Sequence, residues 1–154
     1  FVIDVLQKYF QTVPYCPENI ICGSPREAIR QTLSETGELK ILTSTKTPKD
    51  VTIELDNISE QCSDEIQNDD LCGFILKSAS PTCGLERVKV YKPFNAPSVK
   101  NGVGVFAKKI KQNSPFRGFK SYSVLNTVFY CLFIFLGKCQ ITTKNQQVHP
   151  INRT

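Results

Sequence analysis

Apolar positions Val2, Val5, Leu6, Tyr9 and Phe10 recur at helical spacing, so the chain opens inside an amphipathic helix. Thr12 to Tyr15 reads as a short strand, closed by Cys16-Pro17-Glu18. Ser24-Pro25-Arg26-Glu27 predicts a helix start. Ser24 can cap, Pro25 suits the first helical position, and Glu27 completes a capping box, with the helix running to about Thr32. Glu38 to Thr43 reads as a strand or hairpin arm, and Thr45 to Lys49 as a polar turn. Asp50 can cap the next helix, along which Val51, Leu55, Ile58, Cys62 and Ile66 form one apolar stripe with acids outside. Asn68-Asp69-Asp70 ends that helix. Leu71 to Leu76 is a continuous apolar run, typical of a buried parallel strand, and places Cys72 in the core. A polar loop from Lys77 to Gly84 follows, then an alternating strand from Arg87 to Tyr91. Pro93 to Asn101 reads as loop. Gly102 to Gln112 reads as a last helix with Val105 and Ile110 inward.

This order of helices and strands predicts an α/β fold, a three-layer Rossmann-like arrangement with a parallel or mixed sheet and flanking helices. In such sheets ligands bind beyond the carboxyl ends of the strands. Two segments fall there, Cys16-Pro17-Glu18 and Ser78 to Gly84, and each carries one cysteine.

Composition narrows the chemistry. The 154 residues suit one domain with a sizeable core. All 14 acidic residues lie in 1–86, against 7 Lys/Arg; residues 87–154 carry 12 Lys/Arg and no acid. A basic surface for anions is one meaning of that division, but no recognition module accompanies it, so no specific nucleic-acid partner is expected. The seven cysteines form no regular framework and there is no CxxC, which argues for reduced thiols rather than a disulfide scaffold. The one histidine, His149, excludes C2H2 fingers and leaves little room for a Cys–His or Ser–His–Asp nucleophile.

The words VPYCPE, SPREAIR, KDVT, LCGFILKSASPTCGLERVKVY and NGVGVFAKKI occur in that order along residues 1 to about 115. Together they resemble the 2-thiouracil desulfurase family, in its long version with a second, helical domain. The resemblance implies a [4Fe-4S] cluster held by three cysteines, with one iron left open to take the sulfur of a thiocarbonyl and release uracil from 2-thiouracil. Matched motif by motif, it makes Cys16 and Cys83 two of the metal ligands. Glu18, Lys77, Ser78 and Ser80 lie near them as candidates for binding substrate or moving protons. For Glu18 and Ser80, holding the loop by backbone hydrogen bonds is an equal alternative. The family's first ligand lies in a CLLG-like segment before the first helix. The chain begins after that point, so residues 1–115 are expected to be a desulfurase-like domain incomplete at its N-terminus, an inactive copy. Cys22, read as a loop residue, is the better substitute for the third ligand than Cys72.

Beyond Pro115 the resemblance stops. Residues 116–154 are expected to be an aberrant hydrophobic and basic tail that adds little to the core. Val124 to Leu136 is too short for a membrane span. A misread gene end accounts for its character, with a docked helix or a membrane anchor as alternatives. The expected setting is cytoplasmic, without membrane attachment, and the expected partner is a small thiolated base. The rival functions are a non-catalytic module binding a small ligand and a basic nucleic-acid-binding protein.

Overall fold

The computed structural model describes residues 11–67, 71–94, 96–113, 120–122 and 132–136. The element order is β1 (Gln11–Pro14), α1 (Pro17–Cys22), β2 (Ile29–Leu33), β3 (Leu39–Thr43), α2 (Thr52–Gln67), β4 (Leu71–Lys77), β5 (Val88–Tyr91), β6 (Val99–Gly102), α3 (Val105–Asn113), β7 (Lys120–Tyr122) and β8 (Leu132–Leu136). The helix expected over residues 1–10 lies outside the described residues. The strands form two mixed, four-stranded sheets, ordered β1-β8-β4-β7 and β3-β2-β5-β6. This is the expected α/β class.

In the first sheet β4 runs parallel to β7, and both β1 and β4 run antiparallel to β8. Two stretches of the segment set aside as tail therefore enter the sheet by backbone pairing. Leu132–Leu136 is rich in Phe and branched residues that favour a pleated surface, and it pairs as a strand, not as part of a docked helix. Of residues 116–154, only β7 and β8 are described.

In the second sheet, β2 and β3 form a hairpin around Thr36-Gly37 and β2 runs parallel to β5. Here the helix expected from Ser24 to Thr32 is corrected. Ile29 and Gln31 alternate inward, and both edges of the segment find backbone partners, in β3 and β5. Two-sided pairing overrides the local capping signal. The loop expected from Pro93 to Asn101 also contains a strand, β6, which pairs antiparallel with β5.

Helix α2 ties the two sheets together. Val51 and Leu55, near its start, pack with Ile29 and Ile41 of the second sheet. Cys62 and Ile66, toward its end, pack with Phe74 and Leu76 of β4 and with Phe106, Ala107 and Ile110 of α3. The expected stripe is thus the core, with Ile58 touching both clusters. Val105 is half-buried on the cluster beneath the second sheet, while Ile110 is fully inward. On the outside Lys109 bridges Asp56 and Glu60, and Asn113 bonds Glu60 and Ser63, so α3 is laced to α2.

Asp50 starts α2 as its sequence position suggests. Its Oδ1 accepts the Thr52 backbone N–H at 3.0 Å and the Thr52 hydroxyl, while Thr52 Oγ1 accepts the Ile41 N–H at 2.8 Å. The hydroxyl bond first, then the backbone bond, holds the Asp50 carboxyl below its ordinary value. Replacing Asp50 by Ala should cost about 1 kcal/mol, a few degrees of Tm. Because its folded pKa is depressed, the gap to wild type should be full above the ordinary carboxyl range and shrink as pH falls below about 4. Thermal melts across pH 3 to 7 check this, and a gap that does not change with pH would contradict it.

Candidate functional site

The loop after β4 is built almost wholly from backbone bonds. Lys77 ends the strand exposed, and Ser78 is half-buried. Ala79 then adopts φ 56°, a left-handed conformation unusual for a residue with a Cβ, which turns the chain into Ser80. Ser80 is buried, and its Oγ accepts the N–H groups of Thr82 (3.2 Å) and Cys83 (3.1 Å). Gly84 N–H closes the turn on Ser80 O at 2.9 Å. A Cβ on Gly84 would meet Val88 Cγ2 at 2.6 Å and Ser80 O at 2.8 Å, so the turn is too tight for a side chain there. Cys83, at 0% exposure, is held where backbone geometry puts it.

The start of α3 clasps this loop. Gly104 N–H donates to Gly84 O (2.7 Å), Val105 N–H to Pro81 O (3.1 Å) and Ala107 N–H to Thr82 O (3.1 Å). The N–H groups that a helix leaves without internal partners are taken up by the cysteine loop. Gln31, fully buried on β2, adds a second clasp: its Nε2 donates to Pro81 O at 3.0 Å and to Val103 O at 2.7 Å.

Across the cluster, Cys16 follows β1 and is the residue from which α1 starts, its carbonyl accepting from Asn19 and Ile20. Pro17 at the first helical position and Gly23 at the C-terminal end (φ 71°) are helix-boundary signals. The Cys16-Pro17-Glu18 stretch expected to close the strand is therefore the first turn of a helix, and Cys22 is its last residue rather than part of a loop. Glu18 is buried at 7% exposure, and its Oε2 pairs with Arg26 Nε at 3.2 Å. Burial first, then the Glu18 charge, pushes the Cys22 thiol above its ordinary value.

The fold sets Cys16 and Cys83 on one buried cluster. Cys83 belongs to the buried cluster of α2, β4 and α3, and half-buried Cys16 packs against it. Cys62 lies in the same cluster, as the apolar stripe predicted. Cys72 is on β4 as expected, and its side chain lies outside the described residues. Burial, then Glu65, then Cys16 push the Cys62 thiol up to about 11. At neutral pH it is a core thiol, not a nucleophile. Its folded value exceeds the ordinary 9.0, so the stability it contributes is full below pH 9 and drains as pH rises toward 11. In native protein near pH 8, alkylation of Cys62 by iodoacetamide should be at least ~100-fold slower than that of a free thiol, from the ionised fraction alone. Peptide mapping after a timed pulse measures it; labelling at the free-thiol rate would contradict the placement.

Two soft thiols in an apolar setting are suitable donors for a thiophilic metal or cluster. Among the described residues no three His, Cys, Asp or Glu side chains are grouped to hold a metal ion. Cys16 and Cys83 therefore fit such a group by donor type, and the described residues offer it these two sulfurs. Lys77 lies at the exposed end of β4.

Reasoning from sequence alone missed two residues that shape the site. Arg26 could have been found, because it stands inside the SPREAIR word already singled out. Gln31 had no local signal; only the β2–β5 pairing brings it beneath the loop.

The scaffold is α/β, and Cys16 and Cys83 each follow a strand of its first sheet, the location where open α/β sheets place their ligands. The description "2-thiouracil desulfurase" matches residues 1–118, and the chain belongs to that family. No curated protein and no solved structure matches it. No helix among the described residues is long and apolar enough to cross a membrane.

Proposed function

We propose that the chain removes sulfur from thiolated pyrimidines such as 2-thiouracil, exchanging the C=S for C=O with water as the oxygen source and sulfide as the sulfur product. The observation that carries this reading is that Cys83 lies in, and Cys16 packs against, one buried cluster within the stretch that matches the family. In this reading Cys16 and Cys83 hold a [4Fe-4S] cluster, which supplies a thiophilic Lewis acid able to accept a thiocarbonyl sulfur.

The chain's own residues do the rest. The carboxylate of Glu18, held by Arg26, is an acceptor for a ring N–H of the pyrimidine or for a proton of the attacking water. Ser80 acts through the loop, fixing the backbone around Cys83 by accepting its N–H. Ser78, half-buried beside that loop, offers a hydroxyl to a polar edge of the base. The rigid frame around Cys83 keeps the sulfur-binding geometry preorganised and free of competing water.

The test is anaerobic reconstitution of the full chain with iron and sulfide, followed by incubation with 2-thiouracil and quantification of uracil and sulfide. Equal release of both supports the reading. Binding of 2-thiouracil by folded, reconstituted protein without release of either would replace it with a non-catalytic ligand module.

A further inference from the structure

We infer that the outer face of the second sheet binds single-stranded nucleic acid, through its phosphates and without sequence preference. This is independent of the desulfuration reading.

The face follows from alternation. Ile29, Gln31, Ile41, Val88 and Val90 are buried beneath the sheet, so Arg30, Thr32, Lys40, Lys89 and Tyr91 face the other way. Register brings them together: Thr32 stands opposite both Lys40 and Tyr91, and Lys89 stands opposite Lys100. Every cation of this sheet is on that side, and none of its strand residues is acidic. Lys40 pairs with Asp50 at the edge. Arg30, Lys89 and Lys100 have no carboxylate partner among the described residues.

Three further features point to an anionic ligand. The Tyr91 ring gathers cations instead of letting them splay, with Lys89 Nζ 4.8 Å and Arg30 Cζ 5.4 Å from its centroid. Arg30 Nε and Thr32 Oγ1, shielded from solvent, have no hydrogen-bond partner among the described residues. Lys89 directly opposite Lys100 is a like-charge pair that costs stability, and an anion between them would relieve it.

The occupant is set by shape and charge. Strands lie about 4.8 Å apart, so the row from β2 to β6 spans roughly 10 Å, enough for two or three successive phosphates of one extended strand. A sheet face bearing an aromatic ring suits an unstacked base, whereas a duplex hides its bases from it.

The experiment measures binding of a fluorescein-labelled twelve-nucleotide oligouridine to the full chain by anisotropy at rising NaCl. About three phosphate contacts should give a slope of log K against log salt near −2. The Lys89→Glu, Lys100→Glu double variant should weaken binding at least tenfold, Tyr91→Ala about tenfold, and Lys108→Glu, on exposed α3, less than twofold. If the double Glu variant unfolds by circular dichroism, the double Gln variant replaces it, with at least a fivefold loss expected. The proposal is overturned if the oligonucleotide does not bind at 50 mM salt, or if the folded face variants bind like wild type. Equal affinity for a duplex, or for inorganic polyphosphate at equal phosphate, would also overturn it.

Discussion

Cys83→Ser will abolish uracil release from 2-thiouracil in the reconstituted protein while leaving it folded. The loop around residue 83 is held by the Ser80 hydroxyl, by the Gly84 turn and by three N–H groups at the start of α3, and none of these bonds uses the Cys83 sulfur. Serine keeps the backbone and nearly the volume. It places a hydroxyl in an apolar cluster, at a cost of about 1–3 kcal/mol, a few degrees of Tm. What it removes is the soft thiolate, for which an alcohol is no substitute as a ligand to iron. Activity should fall at least ~100-fold, together with any visible absorption expected of the reconstituted wild type. Cys16→Ser should behave in the same way. Cys62→Ala should not: that thiol is neutral in the core, and its loss should lower Tm without removing turnover. Retention of wild-type turnover by folded Cys83→Ser would remove Cys83 from the site, and equal loss in Cys62→Ala would extend the thiol set to three.

Much of this site was legible as words before it was legible as space. The stripe Val51, Leu55, Ile58, Cys62 and Ile66 is a strong helical period, and the structure buries it. The run Leu71–Leu76 is equally strong, with Phe74, Ile75 and Leu76 buried in β4. The two cysteine segments follow strands in the order that the α/β rule asks for. What local reasoning misjudged was settled by partners far away in sequence. Ser24 to Thr32 carries a good capping pattern, yet Ile29–Leu33 gains a hairpin partner in β3 and a parallel partner in β5, which outweigh it. Conversely, Cys16-Pro17-Glu18 reads as the close of a strand when Pro17 is taken as a stop; as the first helical residue Pro17 begins α1. Gln31 shows the limit most clearly. A glutamine between Arg30 and Thr32 looks like a surface residue, and only the assembled sheet turns its amide toward Pro81 O and Val103 O.

Gly104→Ala should be the most damaging single-methyl change on the scaffold, because the methyl would enter a space already filled by backbone. A Cβ there would lie 2.5 Å from the Thr82 carbonyl carbon and 2.7 Å from Cys83 N, and would also press on Thr82 O. A flexible side chain could swing aside, but this stretch of loop is fixed from both ends. Ser80 Oγ holds the N–H groups of Thr82 and Cys83, and Ala107 N–H holds Thr82 O. Either α3 must lift off the loop or the loop must turn away from α3, and both routes break the bond from Gly104 N–H to Gly84 O. Overpacking of this kind, with one or two buried hydrogen bonds lost, costs about 3 kcal/mol, a Tm drop of roughly 10 °C for a chain of this size. Gly37 supplies the comparison. It has φ 83° in the β2–β3 turn and nothing within 4 Å of its missing Cβ, so Gly37→Ala suffers only the left-handed backbone penalty, about 1 kcal/mol. Desulfuration separates the two variants further. Below its melting point Gly37→Ala should keep wild-type turnover, whereas Gly104→Ala should lose most of it, since the displaced loop carries Cys83. A Gly104→Ala protein that melts within 2 °C of wild type and turns over normally would show that the clasp between α3 and the cysteine loop yields freely, and would remove the rigid frame from this account of the site.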